Sequence, residues 1–72
     1  MDNMTIGKRV RARREEIGIS QTELALMTKL SQSCISELEN GKYSPTAVTL
    51  MKISQALRTT VGDLIGEERR AG

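Results

Sequence analysis

The stretch that decides the fold is residues 20–41, SQTELALMTKLSQSCISELENG. Two helix starts lie close together in it. Ser20 is followed three residues later by Glu23, which forms a capping box: the serine hydroxyl and the glutamate satisfy free amides of the first turn. Ser31 can cap a second helix about one short turn after the first helix ends. The stretch therefore predicts two short helices separated by a tight turn.

Each of these two helices has one side suited to burial. The inward residues are Leu24, Ala25 and Thr28 in the first, and Ile35, Leu38 and Glu39 in the second. The pair Asn40-Gly41 then favours a helix stop. Two short helices with this spacing form a helix-turn-helix unit, whose second helix can lie in the major groove of DNA.

Three further helices are expected around this unit, because apolar residues recur at helical spacing on both sides of it. The five expected helices cover about 5–16, 21–28 and 32–39, then one opened by Pro45-Thr46 and a short one capped by Thr60. We expect an all-α fold in a single domain, 1–72, with an ordered core over about 5–65. Residues 1–4 and the polar tail 66–72 are expected to be flexible.

The pattern resembles the lambda-repressor/Cro-like (Xre) family of helix-turn-helix domains over about residues 5–65. The residues that carry the resemblance are Ser20-Gln21-x-Glu23-Leu24-Ala25, Leu30-Ser31-x-x-x-Ile35-Ser36-x-Leu38-Glu39-Asn40-Gly41-Lys42, Pro45, and Thr49-Leu50-x-Lys52-Ile53-Ser54-x-Ala56-Leu57. The resemblance implies a compact five-helix repressor-like fold and a sequence-specific regulator of transcription, a repressor, with double-stranded DNA as its partner. One residue departs from the family. Lys29 occupies the turn position at which the family usually has a glycine. A positive φ there would cost a lysine roughly 1 kcal/mol.

Composition excludes several classes of function. A chain of 72 residues with no tryptophan, no phenylalanine and one tyrosine predicts one small domain with an aliphatic core. The single cysteine, Cys34, and the absence of histidine predict a reduced, cytoplasmic protein without disulfide, metal or cofactor. No nucleophile–base arrangement can be assembled, so an enzyme is not expected. The longest apolar run, Leu24 to Met27, is too short to span a membrane.

The formal net charge is only +2, but five cations crowd the first helix: Lys8, Arg9, Arg11, Arg13 and Arg14. This cluster is either a phosphate-facing patch or an ordinary solvated helix face. Arg14 also falls on the apolar stripe of Val10 and Ile17, and a buried cation needs a partner. Glu39 is the expected partner, and the family resemblance supports the pair. A fully exposed Arg14 is the alternative.

The third helix is expected to read bases, because Gln32, Ser33, Ser36 and Glu37 point outward when its apolar residues face the core. Gln32 suits a bidentate contact with adenine, whereas Ser33 can bond several base edges. Glu37 either accepts a hydrogen bond from cytosine or has a structural or discriminating role beside a basic side chain. Cys34 is expected to be a partly buried filler.

Phosphate contacts are expected from Gln21, Asn40, Lys42 and Tyr43, with Arg14 shared between phosphate and Glu39. Gln21 lies in the first turn of the second helix, where free amides favour an anion. The resemblance implies the same role for a glutamine at this position. Tyr43 either stacks on a sugar or covers the core.

One short recognition helix reads too few base pairs for strong discrimination, so a homodimer on a palindromic site is expected. Val61, Leu64 and Ile65 are the expected interface, since not all three can face a small core.

A nucleoid location follows from DNA binding, and no small-molecule effector is expected. The alternative function is a protein-interaction module, such as an antitoxin or adaptor, because a fold does not fix a function. Leu26 and Met27 are then either scattered surface residues or part of a partner patch.

Overall fold

The computed structural model describes residues 3–66 of the chain. These residues form five α-helices and, within this range, no strand. The helices are α1 (Asn3–Ile17), α2 (Gln21–Thr28), α3 (Gln32–Glu39), α4 (Ala47–Ala56) and α5 (Val61–Ile65). The predicted all-α, five-helix architecture is confirmed, and the limits expected for α2 and α3 agree with the structure. Within 3–66 no helix is long and apolar enough to cross a membrane.

The first helix begins earlier than the sequence pattern indicated, because Met4 packs against the loop that follows α3. A Cβ built on Gly41 would lie 3.1 Å from the Cε of Met4, so the two residues are in close contact. Residues 3 and 4, which fall within the start that was expected to be flexible, belong to α1. Residues 1–2 and 67–72, including nearly all of the expected flexible tail, lie outside the described residues.

Every helix after α1 begins at a hydroxyl residue with an extended backbone. Ser20, Ser31, Thr46 and Thr60 each accept a hydrogen bond from the amide three residues later. The capping box at Ser20 is complete, since the Glu23 amide donates to Ser20 Oγ at 3.0 Å and the Ser20 amide donates to Glu23 Oε1 at 2.8 Å. These caps satisfy helix amides that otherwise have no partner.

All five helices are followed by a residue with positive φ. These residues are Gly18 (81°), Lys29 (61°), Gly41 (76°), Arg58 (56°) and Gly66 (79°). After each of the first four, the amide of the next residue donates to a carbonyl five positions back, as in a Schellman motif. Lys29 has the left-handed conformation expected for the turn position, whereas the same conformation at Arg58 was not anticipated. Neither residue is a glycine, so both carry the steric cost of a Cβ at positive φ.

The core is aliphatic and draws on all five helices. Its buried members are Ile6, Val10, Leu24, Ala25, Ile35, Leu38, Leu50, Ile53, Leu57 and Leu64. Leu64 is only 2% exposed, because α5 packs against both α1 and α4. Its assignment to a dimer interface is therefore wrong. Val61 and Ile65 are partly buried and pack against the same core.

A close helix crossing at Gly7 places the end of α3 against α1. A Cβ at Gly7 would lie 2.4 Å from the carbonyl oxygen of Leu38 and 2.7 Å from that of Glu39. Only glycine permits this approach, since the atoms in the way belong to backbone. Arg14 lies two helical turns after Gly7, on the same face of α1. The crossing therefore brings Glu39 within reach of Arg14.

Candidate nucleic-acid interface

The helix-turn-helix unit consists of α2 and α3, which pack directly against each other. The inner side of α3 is buried through Ile35 and Leu38. On its outer side Gln32, Ser33 and Glu37 are exposed, and Ser36 is half-buried. The four residues expected to read bases thus lie along the accessible side of one short helix.

Arg14 and Glu39 form a buried ion pair between α1 and the end of α3. Arg14 Nε lies 2.6 Å from Glu39 Oε2, Arg14 Nη2 donates to Glu39 Oε1 at 3.1 Å, and Arg14 Nη1 donates to the Ile19 carbonyl at 2.8 Å. The hydrogen bonds to Glu39 raise the pKa of the Arg14 guanidinium above its ordinary value, against the opposing effect of burial. Arg14 is only 9% exposed and all three of its nitrogens are engaged. This arrangement favours a structural role for Arg14, because its guanidinium is committed to Glu39 and to the Ile19 carbonyl.

The ion pair continues to the surface through two glutamine side chains. Gln21 Nε2 donates to Glu39 Oε1 at 3.1 Å, and Gln32 Nε2 donates to Gln21 Oε1 at 2.8 Å. A hydrogen-bonded chain thus joins the buried Arg14 to the first residue of the recognition helix. The sequence reasoning assigned Gln21 to phosphate and missed this chain, which we call the glutamine relay.

The direction of the glutamine relay follows from the chemistry of its carboxylate end. An ionised carboxylate only accepts hydrogen bonds, so Gln21 must turn its amino group toward Glu39. The carbonyl oxygen of Gln21 then faces Gln32, so Gln32 must donate a hydrogen bond to it from its own amino group. Gln32 is left with its Oε1 and one N–H free for a partner outside the protein.

The basic residues of α1 are mostly committed to other helices. Arg13 donates from Nε to the Leu57 carbonyl at 2.9 Å and from Nη2 to the Arg58 carbonyl at 3.0 Å, which satisfies the C-terminal end of α4. Arg11 pairs with Glu15 at 3.2 Å within the helix. Arg9 Nη1 donates to the Asp63 carbonyl at 3.4 Å. These contacts favour a structural role for the cluster over a phosphate-facing patch.

The loop after α3 holds the remaining residues expected to contact phosphate. Asn40 is exposed, and its Nδ2 donates to the Ser36 carbonyl at 2.9 Å. Lys42 is exposed, and Tyr43 is half-buried against the core. The position of Tyr43 favours the alternative in which it covers the core.

The pair α2 and α3, with the outer side of α3 exposed on a five-helix frame, defines a helix-turn-helix domain. The family model described as "Helix-turn-helix" matches residues 10–64, and the chain belongs to this family. The resemblance to lambda-repressor/Cro-like domains is thereby confirmed. The family is one of DNA-binding regulators.

Two solved structures and one curated relative are similar to the chain. The immunity repressor protein of Bacillus phage phi105 is 37% identical over 65 residues, which are 90% of this chain and 45% of that protein. The P22 c2 repressor, solved in complex with a synthetic operator, has a TM-score of 0.78 and 34% identity over 82% of this chain and 89% of that one. The restriction-modification controller protein C.AhdI from Aeromonas hydrophila has a TM-score of 0.84 and 29% identity over 86% of this chain and 94% of that one. The chain thus spans less than half of the phage phi105 repressor.

Proposed function

We propose that this chain is a sequence-specific transcriptional repressor that binds double-stranded DNA through α3 in the major groove. The observation that carries the proposal is the glutamine relay. It holds the first residue of the recognition helix, Gln32, in one orientation by a chain of bonds anchored in the core. A surface glutamine otherwise samples many rotamers, and fixing it before DNA arrives lowers the entropic cost of binding.

The free groups of Gln32 match one base edge. Adenine presents an N6 donor and an N7 acceptor in the major groove, and a glutamine reads both with its Oε1 and one N–H. These are the two groups that the glutamine relay leaves unused. Gln32 is accordingly proposed to select an adenine at one position of each half-site.

The other predicted contacts complete the surface. Ser33 and Ser36 are proposed to bond neighbouring base edges. Glu37 is proposed to accept from a cytosine amino group or to reject bases that present only acceptors. Phosphates are proposed to bind the amides at the start of α2 beside Gln21, and Asn40 and Lys42 after α3. These residues surround both ends of the recognition helix.

A homodimer on a palindromic operator is also proposed, with a revised interface. The apolar residues exposed on α4 are Val48, at 61%, and Met51, at 53%. They are three positions apart and so share one face of the helix. Together with the partly buried Val61 and Ile65 they are proposed to pair two copies through the fourth and fifth helices. Such a regulator works in the cytoplasm, at the nucleoid.

Selection of bound sequences from random duplex DNA tests the reading surface. Replacing Gln32 by Ala should cost roughly 1–3 kcal/mol at one preferred base pair. Replacing Gln21 by Ala should relax the preference at that same base pair, because the amide of Gln32 is then free to rotate. Lys42→Ala is the matched control. It should weaken all duplexes alike and lower the salt slope by about one unit. An unchanged sequence preference in Gln32→Ala would show that α3 does not read the groove as proposed.

A further inference from the structure

An open groove runs between the C-terminal ends of α1, α2 and α4, away from the residues assigned to DNA. It consists of two cavities of about 370 and 310 Å³ that share Met27 and Ala56 as lining residues. Ile17 and Ile19 extend the apolar floor on one side. Met27 is 53% exposed, and a flexible thioether of this kind adapts readily to a partner.

The rim of this groove is basic. Lys29 and Lys52 line one cavity, Arg58 lines the other, and neither cavity has a carboxylate among its described lining residues. No ion pair within residues 3–66 involves any of these three cations. By contrast, Arg11, Arg13 and Arg14 on α1 are all paired with glutamates. The groove therefore concentrates uncompensated positive charge around an apolar floor.

The backbone supplies a second, independent observation. Lys29 and Arg58 are the two non-glycine residues with positive φ in the described part of the chain, and both lie on this groove. Glycine would fit either position without steric cost, as it does at Gly18 and Gly41. A cation also favours a helix C-terminus, but a lysine in the last helical turn would provide that without a left-handed backbone. Strain kept at two sites of one groove is typical of a functional surface.

We propose that this groove, lined by Ile17, Ile19, Met27 and Ala56 and rimmed by Lys29, Lys52 and Arg58, docks an acidic amphipathic segment of a partner protein. The apolar floor would receive the hydrophobic side of the segment, and the three cations would meet its carboxylates. A DNA backbone fits less well, because it offers nothing apolar to cover Met27. A second copy of the chain fits less well too, since its own groove has the same positive charge.

The position of the groove allows docking while the protein is on DNA. Gln21 at the start of α2 bonds Gln32, so this end of α2 lies at the DNA-reading surface. Met27 and Lys29 lie at the other end of α2, about 10 Å further along the helix axis. A partner in the groove would thus contact the operator-bound protein from the side away from the bases.

A labelled peptide tests the proposal on the full chain. The probe is a fluorescein-labelled helical peptide with leucines along one face and glutamates flanking them. A second peptide has lysines in place of the glutamates. Fluorescence anisotropy should show saturable binding of the first peptide only. Met27→Glu should weaken that binding by about ten-fold or more, whereas Leu26→Glu, on an exposed neighbour outside the groove, should leave it unchanged.

Substitutions of Lys29 and Arg58, the two cations with positive φ, separate a binding role from a structural role. Lys29→Gly and Arg58→Gly each remove a positive charge and also remove the steric strain of a Cβ at positive φ. Each should therefore weaken binding of the acidic peptide by about two- to five-fold while raising the urea midpoint of unfolding. A merely structural role would not lower peptide binding in a more stable protein.

Four results would overturn the proposal. The first is no saturable binding of the acidic peptide, and the second is equal binding of the lysine peptide. The third is binding that Met27→Glu does not reduce. The fourth is a loss of operator affinity, or dissociation of a dimer, in Met27→Glu alone, which would assign the groove to DNA or to a second copy.

Discussion

At the scale of the residue, Arg14 and Glu39 link the folding of the domain to its reading surface. Removing two charges from water is costly, and the loss is offset only when every donor and acceptor finds a partner. Here both oxygens of Glu39 accept from Arg14, and Oε1 also accepts from Gln21. The same carboxylate therefore neutralises a buried cation and sets the orientation of the glutamine relay.

Removal of one partner of this pair should be more harmful than removal of both. Glu39→Ala should lower the free energy of unfolding by roughly 3–5 kcal/mol, because it leaves the Arg14 charge buried and uncompensated. A domain of this size could lose most of its stability in that way. The double variant Arg14→Met/Glu39→Leu should be clearly more stable than Glu39→Ala. Urea unfolding measures both, and a loss below about 1 kcal/mol in Glu39→Ala would mean that the pair behaves as a surface pair.

The sequence anticipated only part of this residue chemistry. An arginine on the apolar stripe of α1 demands a partner, and Glu39 lies on the inner face of α3, so helical periodicity and the family resemblance together predicted the pair. The bond between Gln21 and Gln32 did not, because two surface glutamines on different helices meet only through the particular way α2 crosses α3. The bonds from Arg13 to the end of α4 were missed for the same reason, as the accepting carbonyls are 44 and 45 residues away.

At the scale of the element, helix boundaries were the most predictable feature. The starts of α2 to α5 follow from hydroxyl caps, which act within one turn and need no tertiary information. The stop at Arg58 could not be foreseen, because nothing local favours a left-handed arginine. The structure explains it, because Arg13 donates hydrogen bonds to the carbonyls of Leu57 and Arg58.

The crossing of α1 over α3 depends on one glycine that the helical pattern does not distinguish from an ordinary small residue. In an isolated helix Gly7→Ala would be stabilising by about 1 kcal/mol. In this protein the new methyl group would meet two backbone carbonyls, which cannot rotate away as a side chain could.

We expect Gly7→Ala to lower the free energy of unfolding by about 1–3 kcal/mol, as overpacking usually does. The exposed Ala12→Gly in the same helix is the control, with a loss of about 1 kcal/mol from helix propensity alone. Thermal unfolding compares the two variants. A stabilised Gly7→Ala would contradict the close approach of α1 and α3.

At the scale of the whole molecule, the small core decides which apolar residues remain for a partner. The three apolar residues of the short α5 predict an interface from the sequence, since the core of a 72-residue domain is small. The fold buries Leu64 nonetheless, because α5 closes the gap between α1 and α4. The large apolar residues left exposed are instead Met4 on α1, Leu26 and Met27 on α2, and Val48 and Met51 on α4. Burial of this kind is a property of the assembled bundle and cannot be deduced from one helix.

The proposed dimer predicts how two copies share an operator. Two recognition helices related by a two-fold axis should read half-sites about one helical turn, ~34 Å, apart. Sedimentation of the chain with a palindromic duplex should then show two copies per duplex at saturation. Val48→Glu should place a charge in the pairing surface, and so reduce affinity for the palindrome far more than for an isolated half-site. Leu26→Glu is the control: it also replaces an exposed apolar residue by a charged one, but on α2, and it should leave both affinities unchanged. A single copy per palindrome, or equal losses of Val48→Glu on both duplexes, would mean that the exposed face of α4 does not pair the two copies.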